Sequence, residues 1–478
     1  MIKCFFTGKK IRNELVKYEE NFPALIELLL KKIELCKSQR LKKTIRQSVR
    51  KILATGIKEC VKGISCKNVL KEINNSPNTK KNILFIAGEP LFNIVGISIY
   101  LRNTGKYKTI LILENPWLVN FFKQYFDFVY VYNSYYEVAR ILLSSKPYMI
   151  HVQSSNNYNF LGVMAKCLSA TRVTFAFNDI PSIGKDSVDT SEEASDTPHV
   201  SRLDFLSEKF LFERADGILL TMNTLAVVEV LRLRYKIIMP LLDFPMYISD
   251  EFASYKKKPS HNNNGKIHLV YGGIIAPADA PKGTLGEVQF LNLAKSISSS
   301  GLCFHMYTSP HFSPFQIKKM FAEYLQFAAE EPNFTFKRGL PLDKAIEEFS
   351  QYDFAVLIGL FDGIEFSKVS YGTCTSSKFF TYLAAGLPII VSEEYSYLAS
   401  LVRKYEIGIV INQREIFSLS KIIKKCNHGK LKINVKRAME DFSMKKHIGR
   451  LIEFYKQACN KSTNNVYKEM AVTGTNKN

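Results

Sequence analysis

Long apolar runs are missing from this chain of 478 residues. Its most apolar stretches, Ile83 to Ile86 and Phe354 to Leu360, fall far short of the ~20 residues that a membrane-spanning helix needs. The opening MIKCFFTGKKIRNELVKYEE has no long apolar core and no small-residue cleavage site, so a secretory leader is not expected. The 9 cysteines are scattered and none forms a Cys-x-x-Cys pair, which argues against a disulfide scaffold and fits thiols in a reducing compartment. The 8 histidines are dispersed too, with no His/Cys group at zinc spacing. Tryptophan occurs once, but 34 Phe and 24 Tyr can fill a large core that needs no metal to hold it. The predicted location is the cytoplasm, with peripheral contact at the inner face of the membrane left open.

Acidic residues are in deficit: 44 Asp and Glu stand against 65 Lys and Arg, a net charge of +21. The imbalance is concentrated. Residues 1–80 hold 19 Lys or Arg, 7 Glu and no Asp, a net of +12. Within them Leu41, Ile45, Val49, Ile52 and Leu53 recur every three or four residues among basic ones, the pattern of an amphipathic basic helix. Such a helix can pack on its own protein, mediate a homo-oligomer contact, or lie on an anionic membrane surface. No nucleic-acid recognition module accompanies it.

A polar linker at 74–82 leads into an alternation of short apolar strands and helices of about ten residues, the rhythm of a parallel sheet covered on both faces. Strands are predicted at 83–88, 110–113, 128–132, 148–152, 172–177 and 217–221, with helices between them. The stretch 181–200 is polar and aperiodic and reads as a loop. After a second linker, Tyr255 to Gly265, the rhythm restarts. Strands are predicted at 267–271, 302–307, 334–337, 354–358, 388–391 and 408–411, and helices near 285–299, 314–329, 342–350, 376–385 and 394–404. The expected organisation is a basic helical extension (1–80), one α/β domain (81–255), a second (266–430), a closing helix (431–458) and a frayed tail (459–478). Two such sheets with opposed carboxyl ends would frame a cleft for two substrates.

The sharpest local signal is Thr373-Cys-Thr-Ser-Ser-Lys-Phe-Phe-Thr-Tyr-Leu-Ala-Ala-Gly-Leu-Pro388. Thr375 or Ser376 is placed to cap a helix whose first turn, with Ser377 and Lys378, offers amides, a hydroxyl and an ammonium to a phosphate. An ordinary helix–glycine–strand junction would read the same way. Ser376, Ser377 and Lys378, followed by Phe380, Tyr382, Ala384, Gly386 and Pro388, resemble the nucleotide-sugar signature of the two-domain GT-B glycosyltransferases, in particular the retaining group related to glycogen and sucrose synthases. The resemblance covers residues 82–455 and implies two Rossmann-like domains. It places the donor diphosphate near Ser376 to Lys378, and the Lys282-Gly283 pair and the Gly272-Gly273 loop beside it. An Arg usual before that loop is absent. Two glutamates eight positions apart are also usual in these relatives; here Thr373 and Thr381 stand in their places, and Glu365 upstream is a candidate substitute.

In the first domain, Glu89 in the loop after the first strand, His151 on a strand, and Asp179 at the end of Phe175-Ala-Phe-Asn-Asp179 match acceptor-side positions of that family. Each has a plainer alternative: a helix cap for Glu89, a core histidine for His151, a turn cap for Asp179. The resemblance implies transfer of a sugar from a nucleoside diphosphate donor to a hydroxyl of a glycan or lipid-linked acceptor, in bacterial surface polysaccharide or glycoconjugate synthesis. No obligatory metal or other cofactor is expected. The alternative is a non-catalytic scaffold of the same fold.

Overall fold

The computed structural model describes Ile26, Glu27 and Lys31, and residues 66–75, 79–88, 92–114, 116, 119–154, 158–183, 202–253, 265–280, 286–361 and 368–460. Most of the basic extension thus lies outside the described residues. Its last helix, Lys67–Asn74, packs on the first domain through Val69 and Ile73, and Lys108 Nζ pairs with Glu72 at 2.7 Å.

Seven parallel strands form the first sheet: β1 Lys81–Ala87, β2 Tyr107–Leu113, β3 Phe128–Val131, β4 Met149–Ser154, β5 Val173–Phe177, β6 Gly217–Leu220 and β7 Leu241–Asp243. Their order is β3-β2-β1-β4-β5-β6-β7. β1, β4 and β5 are buried almost throughout, as strands covered by helices on both faces must be. The second sheet has six: β8 His268–Gly272, β9 Cys303–Tyr307, β10 Phe334–Lys337, β11 Phe354–Leu357, β12 Ile389–Ser392 and β13 Gly408–Ile411. They run in the order β10-β9-β8-β11-β12-β13, again all parallel. The chain is therefore α/β with two Rossmann-like domains.

In each sheet the connections depart in opposite directions from one border, β1/β4 in the first and β8/β11 in the second. Open sheets bind ligands outside the carboxyl ends of the strands at such a border.

Three predicted helices are divided. The one at 285–299 is a 3₁₀ turn, Gly286–Val288, followed by the helix Leu291–Ser299. The one at 314–329 breaks at Phe321 into Pro314–Met320 and Ala322–Glu330, the buried Phe321 ring being drawn into the core. In place of one helix at 431–458 there are two, His428–Asp441 and Met444–Cys459. The break at Phe442-Ser443 is where the chain returns to the first domain. Ser443 pairs with Ile248 in an isolated parallel bridge, and Met444 N–H donates to Ile248 O at 2.7 Å. The final helix then lies on the first sheet, with Phe454 filling the space that a side chain at Gly217 would take.

Candidate functional site

Gly272 and Gly273 close β8 at the β8/β11 border, and the packing accounts for both glycines. A Cβ on Gly272 would stand 2.3 Å from the Phe349 ring. Gly273 has φ +152°, and a Cβ there would stand 2.8 Å from Cδ of Lys378. Lys378 therefore lies directly over the bare backbone of Gly273, and its Nζ is 5.9 Å from the centre of the Tyr271 ring.

The helix Ser377–Ala384 delivers that lysine. Ser376 is its N-cap, accepting a hydrogen bond from Lys378 N–H at 3.3 Å. Phe379, Phe380, Tyr382 and Leu383 are buried, and Gly386, at φ +75°, ends the helix as the sequence predicts. Gly272 N–H donates to the Tyr382 hydroxyl at 3.0 Å, so the signature helix holds the glycine loop.

Burial pulls the Lys378 ammonium below the usual lysine range, while Cys374 and Glu287 push it back up. Burial raises the Cys374 thiol to about 12, opposed by Lys378 and assisted by Asp179. Asp179, exposed just past β5 of the first domain, thus lies within electrostatic reach of Cys374 in the second domain. Two hydrogen bonds join the domains here. Asn223 N–H donates to Thr373 O at 2.8 Å, and the Thr375 hydroxyl donates to Thr221 O.

The structure thus gathers Gly272, Gly273, Ser376, Ser377 and Lys378 at one strand border, with Asp179 opposite. Thr381 lies one turn along the helix, its hydroxyl donating to Ser377 O at 2.9 Å. Thr373 is buried and donates to Val369 O at 2.6 Å. His151 does not join this group. It is 1% exposed, in the middle of β4, with Nδ1 2.9 Å from the Tyr455 hydroxyl on the final helix. Burial lowers its pKa to about 3, so it is a neutral core residue at ordinary pH. Glu89, Lys282, Gly283 and Glu365 lie outside the described residues.

Sequence reasoning missed Glu287, whose carboxylate acts on Lys378, Tyr271 and Tyr395. It also missed Gly359 at the end of β11, where a Cβ would stand 2.5 Å from the Phe361 ring and 2.9 Å from the Tyr395 hydroxyl. Phe361 stacks on Tyr371, with ring centres 4.3 Å apart. Glu287 sits in a 3₁₀ turn with no motif around it; its one signal was its position between a glycine loop and a helix. Among the described residues no group of three or more His, Cys, Asp or Glu could hold a metal ion, and no helix is long and apolar enough to cross a membrane.

Residues 311–461 match the protein family described as glucosyltransferase 3-like, C-terminal domain. A glycosyltransferase from Rickettsia africae ESF-5 superposes with a TM-score of 0.52 at 11% identity, covering 80% of this chain and 100% of its own. An O-GlcNAc transferase from Thermobaculum terrenum gives a TM-score of 0.47 at 10% identity, covering 95% of this chain and 81% of its own. No curated protein matches the sequence. The first superposition and the paired sheets show a GT-B-like fold.

Proposed function

We propose that the chain is a glycosyltransferase that moves a sugar from a nucleoside diphosphate donor to a hydroxyl acceptor. The observation that carries this reading is Lys378, held over the bare backbone of Gly273 at the switch border of the second sheet. A lysine at a capped helix start, over a loop that admits close approach, meets the needs of a diphosphate: a cation, amide donors and room. Lys282 adds a second cation in this reading. The match of residues 311–461 to a glucosyltransferase family supports it.

The donor charge is then neutralised by lysines and amides rather than by an obligatory metal. Asp179, from the opposite domain, is the carboxylate placed to take or orient the acceptor's hydroxyl proton. A glycan or lipid-linked acceptor, in bacterial surface polysaccharide or glycoconjugate synthesis, fits the fold.

A panel of UDP-, GDP- and dTDP-sugars tests the reading by calorimetric binding and by release of nucleoside diphosphate. Binding and release with at least one donor is the expected result; no binding by any of them would sink the proposal. The Thr373 and Thr381 hydroxyls, each turned to its own helix backbone, favour one second reading, a nucleotide-binding scaffold. Tight binding without release, with acceptor glycans supplied, would support that reading instead.

A further inference from the structure

Asp179 is the one exposed residue between Val173 and Ile183, and the chain is fixed on either side of it. Before it, Asn178 turns two donors to one carbonyl: its N–H at 3.2 Å and its Nδ2 at 2.7 Å both reach Ser154 O, at the end of β4. After it comes a buried 3₁₀ turn, Pro181–Ile183. Every polar group of Ser182 in that turn is engaged. Its N–H donates to Oε2 of Glu208 at 2.8 Å, and its hydroxyl donates to Oε1 of Glu208 at 2.5 Å. Its carbonyl accepts from the Arg234 guanidinium. Glu208 comes from the middle of the helix Arg202–Arg214 and Arg234 from the end of the helix Thr224–Arg234, so two helices grip one residue.

Glu208 is 0% exposed. A carboxylate withdrawn from water is a costly filling for a core. Burial pushes its pKa up to about 7, while hydrogen bonds from Ser182 and Tyr235 and the charge of Arg234 pull it back.

We propose that Glu208 is a positioning residue for Asp179: by holding Ser182 through both carboxylate oxygens, it fixes the far end of the turn from which Asp179 serves the acceptor hydroxyl. This rests on the role given to Asp179 above and assigns the side chain that keeps it in place. A catalytic group must stay within about 0.5 Å of its productive position. A displacement of about 1 Å can cost about 10²-fold in rate. A carboxylate on an exposed turn meets that tolerance when the chain is anchored on both sides of it. Asn178 gives one anchor on the sheet. The other must accept from a backbone N–H and from the hydroxyl of the same residue, and the paired oxygens of a carboxylate do both. A leucine at 208 would fill similar space and hold nothing.

The test is steady-state release of nucleoside diphosphate by the full-length protein, from the nucleotide sugar that the donor panel identifies, with water as acceptor and at mildly alkaline pH. Glu208→Leu, Glu208→Gln and Arg234→Met are each measured with Asp179 intact and together with Asp179→Asn. With Asp179 intact, Glu208→Leu should lower kcat about tenfold or more. Its calorimetric affinity for the nucleoside diphosphate should stay within about twofold, since no contact to phosphate is removed. Glu208→Gln should recover most of the lost kcat, because its amide accepts from Ser182 N–H and donates to the Ser182 hydroxyl. Arg234→Met changes an exposed residue and removes one of the bonds on Ser182, so it should lower kcat less than Glu208→Leu; it carries the test if Glu208→Leu does not fold. Combined with Asp179→Asn, none of the three should lower the remaining kcat further, because the turn then has no base to position. A merely structural role would lower kcat by the same factor in both backgrounds. Equal losses in both backgrounds would overturn the proposal, and so would wild-type kcat in both Glu208→Leu and Arg234→Met. Wild-type kcat in Asp179→Asn alone would instead remove the base assignment, and no release from any donor would remove the transferase reading; either takes this inference with it.

Discussion

The hydroxyl of Tyr382 holds the backbone of Gly272 from below: Gly272 N–H donates to it at 3.0 Å, and the hydroxyl donates to Gly272 O at 3.4 Å. Helix and glycine loop are 110 residues apart in sequence, yet this one side chain sets their spacing. Tyr382→Phe removes the hydroxyl and takes its partner from the half-buried Gly272 N–H, which costs about 1–3 kcal/mol. Thermal denaturation should show lowered stability, and diphosphate binding should weaken with it because Gly273 and Lys378 lose their common support.

Much of the frame was legible in the sequence because each buried strand is a compact apolar run bounded by polar residues. The twelve predicted strands are all present. The addition, β7, is three residues long and follows Pro240, too short for any periodicity to register. The divided helices escaped because hydrophobic spacing continues across their breaks; Phe321 and Phe442 both fit a helical pattern while tertiary packing turns the chain there. At the site, Ser376 and Lys378 were legible as a helix start, a local property. Glu287 and the Asp179–Cys374 approach were not, since each depends on contacts between distant segments. His151 fitted a family position, but only the fold reveals Tyr455 beside it.

Lys378→Ala tests the centre of the site. Deleting a cation that contacts a phosphate forfeits a charge-assisted interaction of about 1.5–3 kcal/mol, a loss of affinity greater than about tenfold. Isothermal titration with the donor's nucleoside diphosphate reads this directly, with circular dichroism to confirm the fold. Undiminished affinity would dissociate Lys378 from the phosphates.

Gly273→Ala approaches the same lysine through the backbone. Alanine at φ +152° is strained, and its methyl group would meet Cδ of Lys378 at 2.8 Å. Strain of this kind costs roughly 1–3 kcal/mol. The lysine must also move off the loop, so diphosphate affinity should fall further than the change in melting temperature alone would imply. Measuring both on one preparation separates the two effects.

His151 makes a prediction about acid stability. Its folded pKa, about 3, lies below that of an unfolded histidine, so the unfolded chain binds the extra proton. The stability it contributes is full above the unfolded pKa, ~6.5, and is lost progressively as pH falls from there toward the folded value. The slope is about 1.4 kcal/mol per pH unit at most. His151→Gln does not titrate and can still accept from the Tyr455 hydroxyl. Urea unfolding at a series of pH values should show a flatter acid limb for this variant; an unchanged limb would assign the acid sensitivity elsewhere.

Asp179 separates binding from chemistry. It belongs to the first domain, its charge acts on Cys374, and the proposed function gives it the acceptor's proton rather than the diphosphate. If it takes or orients the acceptor proton, Asp179→Asn keeps the shape and a hydrogen-bonding oxygen but removes the base. The loss expected for a general base is about 10²–10⁴-fold in kcat. Affinity for the nucleoside diphosphate should stay within about twofold, since no charge-assisted contact to phosphate is removed. Lys378→Ala should instead weaken binding, so the two variants fail in different ways. Steady-state release of nucleoside diphosphate, with water or a supplied glycan as acceptor, gives kcat and KM for each. An Asp179→Asn enzyme with wild-type kcat would exclude the carboxylate as base and leave the leaving diphosphate itself as the proton acceptor.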